Sequence, residues 1–148
     1  MAQRPDIRLG PEEQDEFLRA QRKCALATLD RDGFPHVVAM NYAWRDGAFW
    51  MTSYAKAQKV VNIRRNPKVA VMVESGAAYA ELKGVMARGL CEVIDDPERV
   101  ADVFAWLGAG RTTPRPVAAQ QSAAKRVVLK LTPRRIASWD HTKLGGRY

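Results

Sequence analysis

Residues 23–53 read KCALATLDRDGFPHVVAMNYAWRDGAFWMTS, and this stretch decides the fold. Lys23 to Leu29 has the composition of a strand. Arg31-Asp32-Gly33 is a turn, because Asp-Gly accepts the positive φ values of a tight hairpin. Phe34 to Trp44 forms a second strand, and Arg45-Asp46-Gly47 repeats the turn signal. Ala48 to Ser53 makes a third. Three strands joined by two Asp-Gly turns predict an antiparallel meander.

Working outward, Gly10-Pro11-Glu12-Glu13 predicts a helix start, with proline in the first turn and acids at the positive end of the dipole. Phe17 and Leu18 supply its apolar side, and it ends near Gln21. Residues 1–10 are an arm. On the other side of the meander, residues 55–65 are predicted helical, with Ala57, Val60 and Ile63 recurring every three positions. Asn66-Pro67 stops that helix, since a residue before proline avoids the helical region. Lys68 to Glu74 is a strand in which Val69, Val71 and Val73 alternate with Ala70 and Met72. Residues 79–94 are mostly strand, with bulges or bends at Gly84 and Gly89. Asp95-Asp96-Pro97-Glu98 caps a helix reaching about Leu107. Residues 108–116 are a loop and a short Ala/Gln stretch follows. Arg126 to Leu131 and Arg135 to Trp139 are closing strands around Thr132-Pro133, and residues 140–148 are a polar tail. With no repeat and no linker, 1–148 reads as a single domain. It is mainly β, an antiparallel barrel with short flanking helices, because closure removes exposed strand edges.

The composition suits a globular protein, with 47% apolar and 27% charged residues. Apolar runs are too short to span a bilayer, and the N-terminus has no apolar signal region. A cytoplasmic protein without a membrane partner is expected. Cys24 and Cys91 sit in no CxxC or Cys/His cluster, so two buried reduced thiols are expected. With His36 and His141 as the only histidines, no metal site is predicted. A net charge of +8 attracts anions of many kinds, though many of these cations serve solvation alone. Nucleic-acid binding is disfavoured, because the basic residues are scattered and no recognition motif is present.

The segment from Phe49 to Ala70 carries the chemistry. A strand ends in two hydroxyls, Thr52 and Ser53, and runs into the helix. Ser53 is placed to cap it, and its free N–H groups favour an anion. Lys56 and Lys59, three residues apart, reach the same anion. A capped surface helix with solvated lysines is the plainer alternative.

A strand ending in Thr or Ser, a basic residue at Lys59, then Asn66-Pro67 and a valine-rich strand resemble the flavin-binding segment of the pyridoxamine-phosphate-oxidase-like split barrels. The hairpin from Cys24 to Val38 is similar to that family's first hairpin, and Val85 to Val93 resembles its V-x-x-x-G-x-A strand. The similarity spans roughly residues 12 to 105, and the tail more weakly. The resemblance implies a split β-barrel that works as a homodimer with a flavin-type cofactor. Lys59 matches a phosphate-binding lysine. Thr52 and Ser53 match residues near the phosphate and ribityl chain. Ala57 and Gln58 fall where the family often has Ser and Arg, which weakens those contacts. His36, Val37, Val38 and Met40 would run past the isoalloxazine ring, although His36 also fits a half-buried strand histidine. Trp139 would pack near the cofactor or in a core or dimer interface. The tail lacks the Arg-x-His pattern that holds pyridoxal phosphate, which argues against that substrate.

The Ala-, Arg- and Val-rich composition hints at a high-GC genome. Many actinobacterial members of this superfamily resemble this chain in length and use the deazaflavin coenzyme F-420, whose phosphate and polyglutamate tail call for a basic groove. Lys56, Lys59, Arg64, Arg65, Lys83 and Arg88 are the expected contributors. The expected function is an F-420-dependent oxidoreductase moving hydride to or from a small organic substrate. The alternatives are an FMN-dependent oxidoreductase of the same fold and a non-catalytic flavin or haem binder. No catalytic residue is assigned; Tyr54, His36 and Lys143 are candidate proton donors.

Overall fold

The fold rests on strands that are apolar on at least one face, the early ones short and joined by tight turns. The computed structural model describes residues 3–109 and 125–146. Helix α1 (Pro11–Ala20) leads into β1 (Lys23–Leu29), β2 (Pro35–Asn41), β3 (Ala43–Arg45) and β4 (Ala48–Tyr54). Helix α2 (Gln58–Arg65) then precedes β5 (Lys68–Ser75) and β6 (Lys83–Ile94). Helix α3 (Pro97–Gly108) and the long β7 (Arg126–Asp140) follow. The sheet order is β2-β1-β5-β6-β7-β4-β3, with every pairing antiparallel.

The expected second strand is divided at Tyr42, and the two parts stand at opposite ends of this order. Its first part pairs with β1 and its last residues pair with β4. One nearly continuous segment therefore joins both ends of the sheet and curls it into a split barrel. The two Asp-Gly hairpins are present, but each uses a different part of the segment. Tyr42 is held at the break by burial: its hydroxyl donates to the Leu18 carbonyl at 2.8 Å and its N–H to the Arg22 carbonyl at 3.0 Å.

The barrel interior is filled by Leu18, Leu26, Phe49, Met51, Ile63, Val71, Leu129 and Leu131, among others. Strand β4 is buried on both faces, because Ala48 and Trp50 pack with Val100 and Val103 beneath α3. Asp96 caps α3, accepting the Glu98 N–H at 3.2 Å.

Several expectations are corrected. Thr132-Pro133 does not end a strand: β7 runs through it, with a bulge at Arg134 where the register shifts between Arg88 and Gly89. Gly89 is thus at the bulge, whereas Gly84 pairs regularly with Trp139 and leaves room for its indole. Residues 79–81 form a 3-10 turn instead of strand. The helix after β4 begins at Gln58, because a turn closed by the Ala57 N–H on the Tyr54 carbonyl intervenes. Ser53 stays in β4 and does not cap α2; Ala57 stands at the cap without a side-chain acceptor. The N-terminal arm is tied to the end of β7, where Leu9 N–H donates to Ser138 Oγ at 3.0 Å and Asp140 N–H to the Ile7 carbonyl at 2.7 Å. The expected loop after Gly108 and the Ala/Gln stretch lie, from residue 110 to 124, outside the described residues. Cys24 and Cys91 are buried and free.

Candidate functional site

The antiparallel register of β3 on β4 sets Ala43 against Trp50 and Trp44 against Phe49. Continued past Tyr42, it would oppose Asn41 to Thr52, Met40 to Ser53 and Ala39 to Tyr54. Those pairs are not formed. The strands diverge there and leave a groove of about 340 Å³, lined by these six residues with Lys59, Leu107 and Arg126. The split of the barrel is thus a missing ladder whose two edges face the groove.

Each element delivers one part of this site. Strand β4 brings buried Ser53 and half-buried Thr52. Helix α2 brings Lys59 in its first turn, and α2 is anchored by a network around buried Asn62. Asn62 Nδ2 donates to Thr28 Oγ1 at 3.0 Å, and Gln58 Nε2 donates to Asn62 Oδ1 at 2.8 Å. Strand β7 brings Arg126, which pairs with Tyr54 across the ladder. Burial, and then the nearby Arg126 charge, lowers the pKa of Lys59. No carboxylate stands among the described lining residues. Two cations and two hydroxyls around one concavity are groups of the kind that hold a phosphate-like anion.

Of the sequence-predicted residues, Met40, Thr52, Ser53 and Lys59 come together here. Lys56 is exposed in the turn before α2, and Gln58 is occupied with Asn62. Ala57 packs against the core. Val37 and Val38 line a second groove with Lys23, Cys24, Ala25, Ala39, Met72 and Glu74. His36, half-buried on β2, has an Nδ1 with no hydrogen-bond partner among the described residues. Arg88 is exposed on β6 beside Ala70 and Arg135, and Trp139 covers Gly84 near the far end of β7. The expected basic groove is dispersed in this chain. Lys83 pairs with Asp140 at 3.5 Å, and Arg65 donates to the Leu29 carbonyl at 2.8 Å. Among the candidate proton donors, Tyr54 lines the groove, while Lys143 is held by Glu13 and the Arg8 carbonyl, each at 2.8 Å. Arg126 and Asn41 were missed, because neither lies in the Phe49–Ala70 segment and only barrel closure brings them to it. A larger depression of about 610 Å³ along α1 is walled by one helix, with Glu12, Asp15 and Glu16, and offers no converging groups for an anion.

A curled antiparallel sheet parted at one groove places the chain in the class of split β-barrels. The model of the pyridoxamine 5'-phosphate oxidase family matches residues 11–140, and the chain belongs to that family. A conserved hypothetical protein of Mycobacterium tuberculosis is similar over 100% of this chain and 95% of its own, with 38% identity and a TM-score of 0.87. An F420 reductase is 29% identical over 83% of this chain and 94% of its own, with a TM-score of 0.68. A FAD-binding protein of Mesorhizobium loti shares the fold, with 24% identity over 88% of this chain and 94% of its own and a TM-score of 0.69. Comparison with curated protein sequences gives no match.

Proposed function

We propose that the chain is an oxidoreductase that binds coenzyme F-420 in the groove at the barrel split and moves hydride to or from a small organic substrate. The convergence of Lys59 and Arg126 on a groove with no described carboxylate carries this reading. The groove fits a phosphorylated flavin-type group: Lys59, Arg126, Thr52 and Ser53 would hold the phosphate. The edge of β2, with Met40, and the edge of β4 would flank the ring. When bound, a deazaflavin supplies hydride chemistry, and the protein supplies position and electrostatics. The likeness to an F420 reductase favours the deazaflavin over FMN.

The working unit in this reading is a homodimer. Val37, Ala27 and Ala70 begin one row across the outer sheet face that ends in Arg88 and Arg135, and Ala39, Ala25, Met72, Met86 and Ala137 form the next. Small apolar side chains with Val37 and Met72 exposed suit an isologous contact with a second copy. Among the described residues no helix is long and apolar enough to cross a membrane.

Side-by-side fluorescence titration with F-420 and FMN tests the cofactor. Tighter binding of F-420 is expected. FMN that co-purifies in equal amounts and is not displaced by F-420 would establish the FMN alternative instead. Cofactor that binds but is never turned over with any substrate would favour a carrier or sensor.

A further inference from the structure

Arg126 is held in an unusual way for a surface cation. Its guanidinium carbon lies 4.1 Å from the centre of the Tyr54 ring and 5.3 Å from that of Phe104. Its Nε is buried, with no hydrogen-bond partner among the described residues. No ion pair of Arg126 or Lys59 with a carboxylate is formed among the described residues. The two cations instead face the same groove. Like charges brought together and partly desolvated oppose folding unless an anion joins them. Stacking between aromatic rings orients a guanidinium while leaving its in-plane donors available, and that planar fork matches two phosphate oxygens.

We propose that Arg126 is the second cationic arm of the phosphate site: a guanidinium oriented by Tyr54 and Phe104 that clamps the ligand phosphate opposite Lys59. The arm comes from β7, whereas Gln58 at the start of α2 is turned onto Asn62. Specificity for a phosphorylated ligand then depends on a residue 67 positions beyond Lys59. This assignment rests on the phosphorylated-cofactor reading, but its chemistry requires only the phosphate.

The test uses the full chain, with Arg126→Gln, Arg126→Lys and Lys59→Ala. Inorganic phosphate is titrated by phosphorus NMR, FMN and F-420 by fluorescence, and the Lys59 ammonium is followed by NMR against pH. Arg126→Gln is expected to weaken phosphate binding roughly tenfold or more, as for loss of a charge-assisted bidentate contact. It should also raise the Lys59 titration midpoint, because a positive neighbour is removed. Arg126→Lys should keep the Lys59 midpoint low yet lose much of the affinity, since an ammonium lacks the planar fork. Unchanged phosphate affinity in Arg126→Gln, or an unmoved Lys59 midpoint, would overturn the assignment. If neither F-420 nor FMN binds the wild-type chain, the cofactor reading fails, while the phosphate and Lys59 measurements still decide the role of Arg126. A folded Arg126→Lys variant that matches wild type in phosphate affinity would show that charge alone suffices and would overturn the clamp.

Discussion

The indole of Trp139 lies directly on the bare α-carbon of Gly84, its partner across the β6–β7 ladder. A side-chain carbon at Gly84 would collide with the ring, so the glycine is required by close approach and not by backbone conformation. Gly84→Ala is expected to destabilise the chain by about 1–3 kcal/mol through overpacking. Urea denaturation measures this. Combining Gly84→Ala with Trp139→Leu should recover part of the loss; an additive pair would mean that the two side chains do not compete for the same space.

Lys59→Ala is expected to weaken cofactor binding on the order of ten- to a hundredfold, since a charge-assisted hydrogen bond contributes ~1.5–3 kcal/mol. Lys68→Ala, exposed at the start of β5, is the control and should change affinity little. Equal losses would indicate general charge attraction instead of a site. The lowered Lys59 pKa also sets a pH dependence. Its ammonium is lost as pH rises through that lowered value, so affinity should fall before an ordinary lysine deprotonates. Titration across alkaline pH reads the midpoint.

Asn62 is fully buried and bridges α2 to Thr28 on β1. Asn62→Ala leaves the Thr28 hydroxyl buried without this partner and should cost about 1–3 kcal/mol. Val61→Ala, on the exposed side of the same helix, should stay within about 0.5 kcal/mol of wild type. Thermal and chemical denaturation of both variants make the comparison.

Burial pushes the thiols of Cys24 and Cys91 up to about 12. Few thiolates exist at mildly alkaline pH, and both residues are buried. Both cysteines should resist a thiol reagent in the native state and react together on unfolding. Fast labelling of either one in folded protein would contradict the burial of its strand.

Light scattering is expected to give twice the 16.6 kDa chain mass. Met72→Lys places a charge on the outer sheet face and should shift the population toward monomer. A wild-type monomer at micromolar concentration would exclude the proposed dimer.

The local patterns of the chain determined most of its elements. Asp-Gly turns, the valine alternation of β5, the Asp96 cap and the Asn66-Pro67 stop are short-range signals, and each stands where those rules put it. Lys59, Thr52 and Ser53 were legible because they lie on one strand–helix segment, where spacing along the chain is spacing in space. The departures share one cause. Tyr42 divides a strand because its side chain and N–H find partners on and just after α1. Thr132-Pro133 is carried through β7 because β7 bulges at the next residue, Arg134, between the Arg88 and Gly89 pairings of β6. Arg126 and Asn41 reach the groove because the sheet closes on itself, and Arg88 and Trp139 stand elsewhere because they lie on other parts of that sheet. Sequence alone therefore determined most of the strands, the turns and the placement of Lys59 just after β4. The split in the barrel and the second cation were decided only by tertiary pairing, since they depend on which strand edges meet and which are held apart.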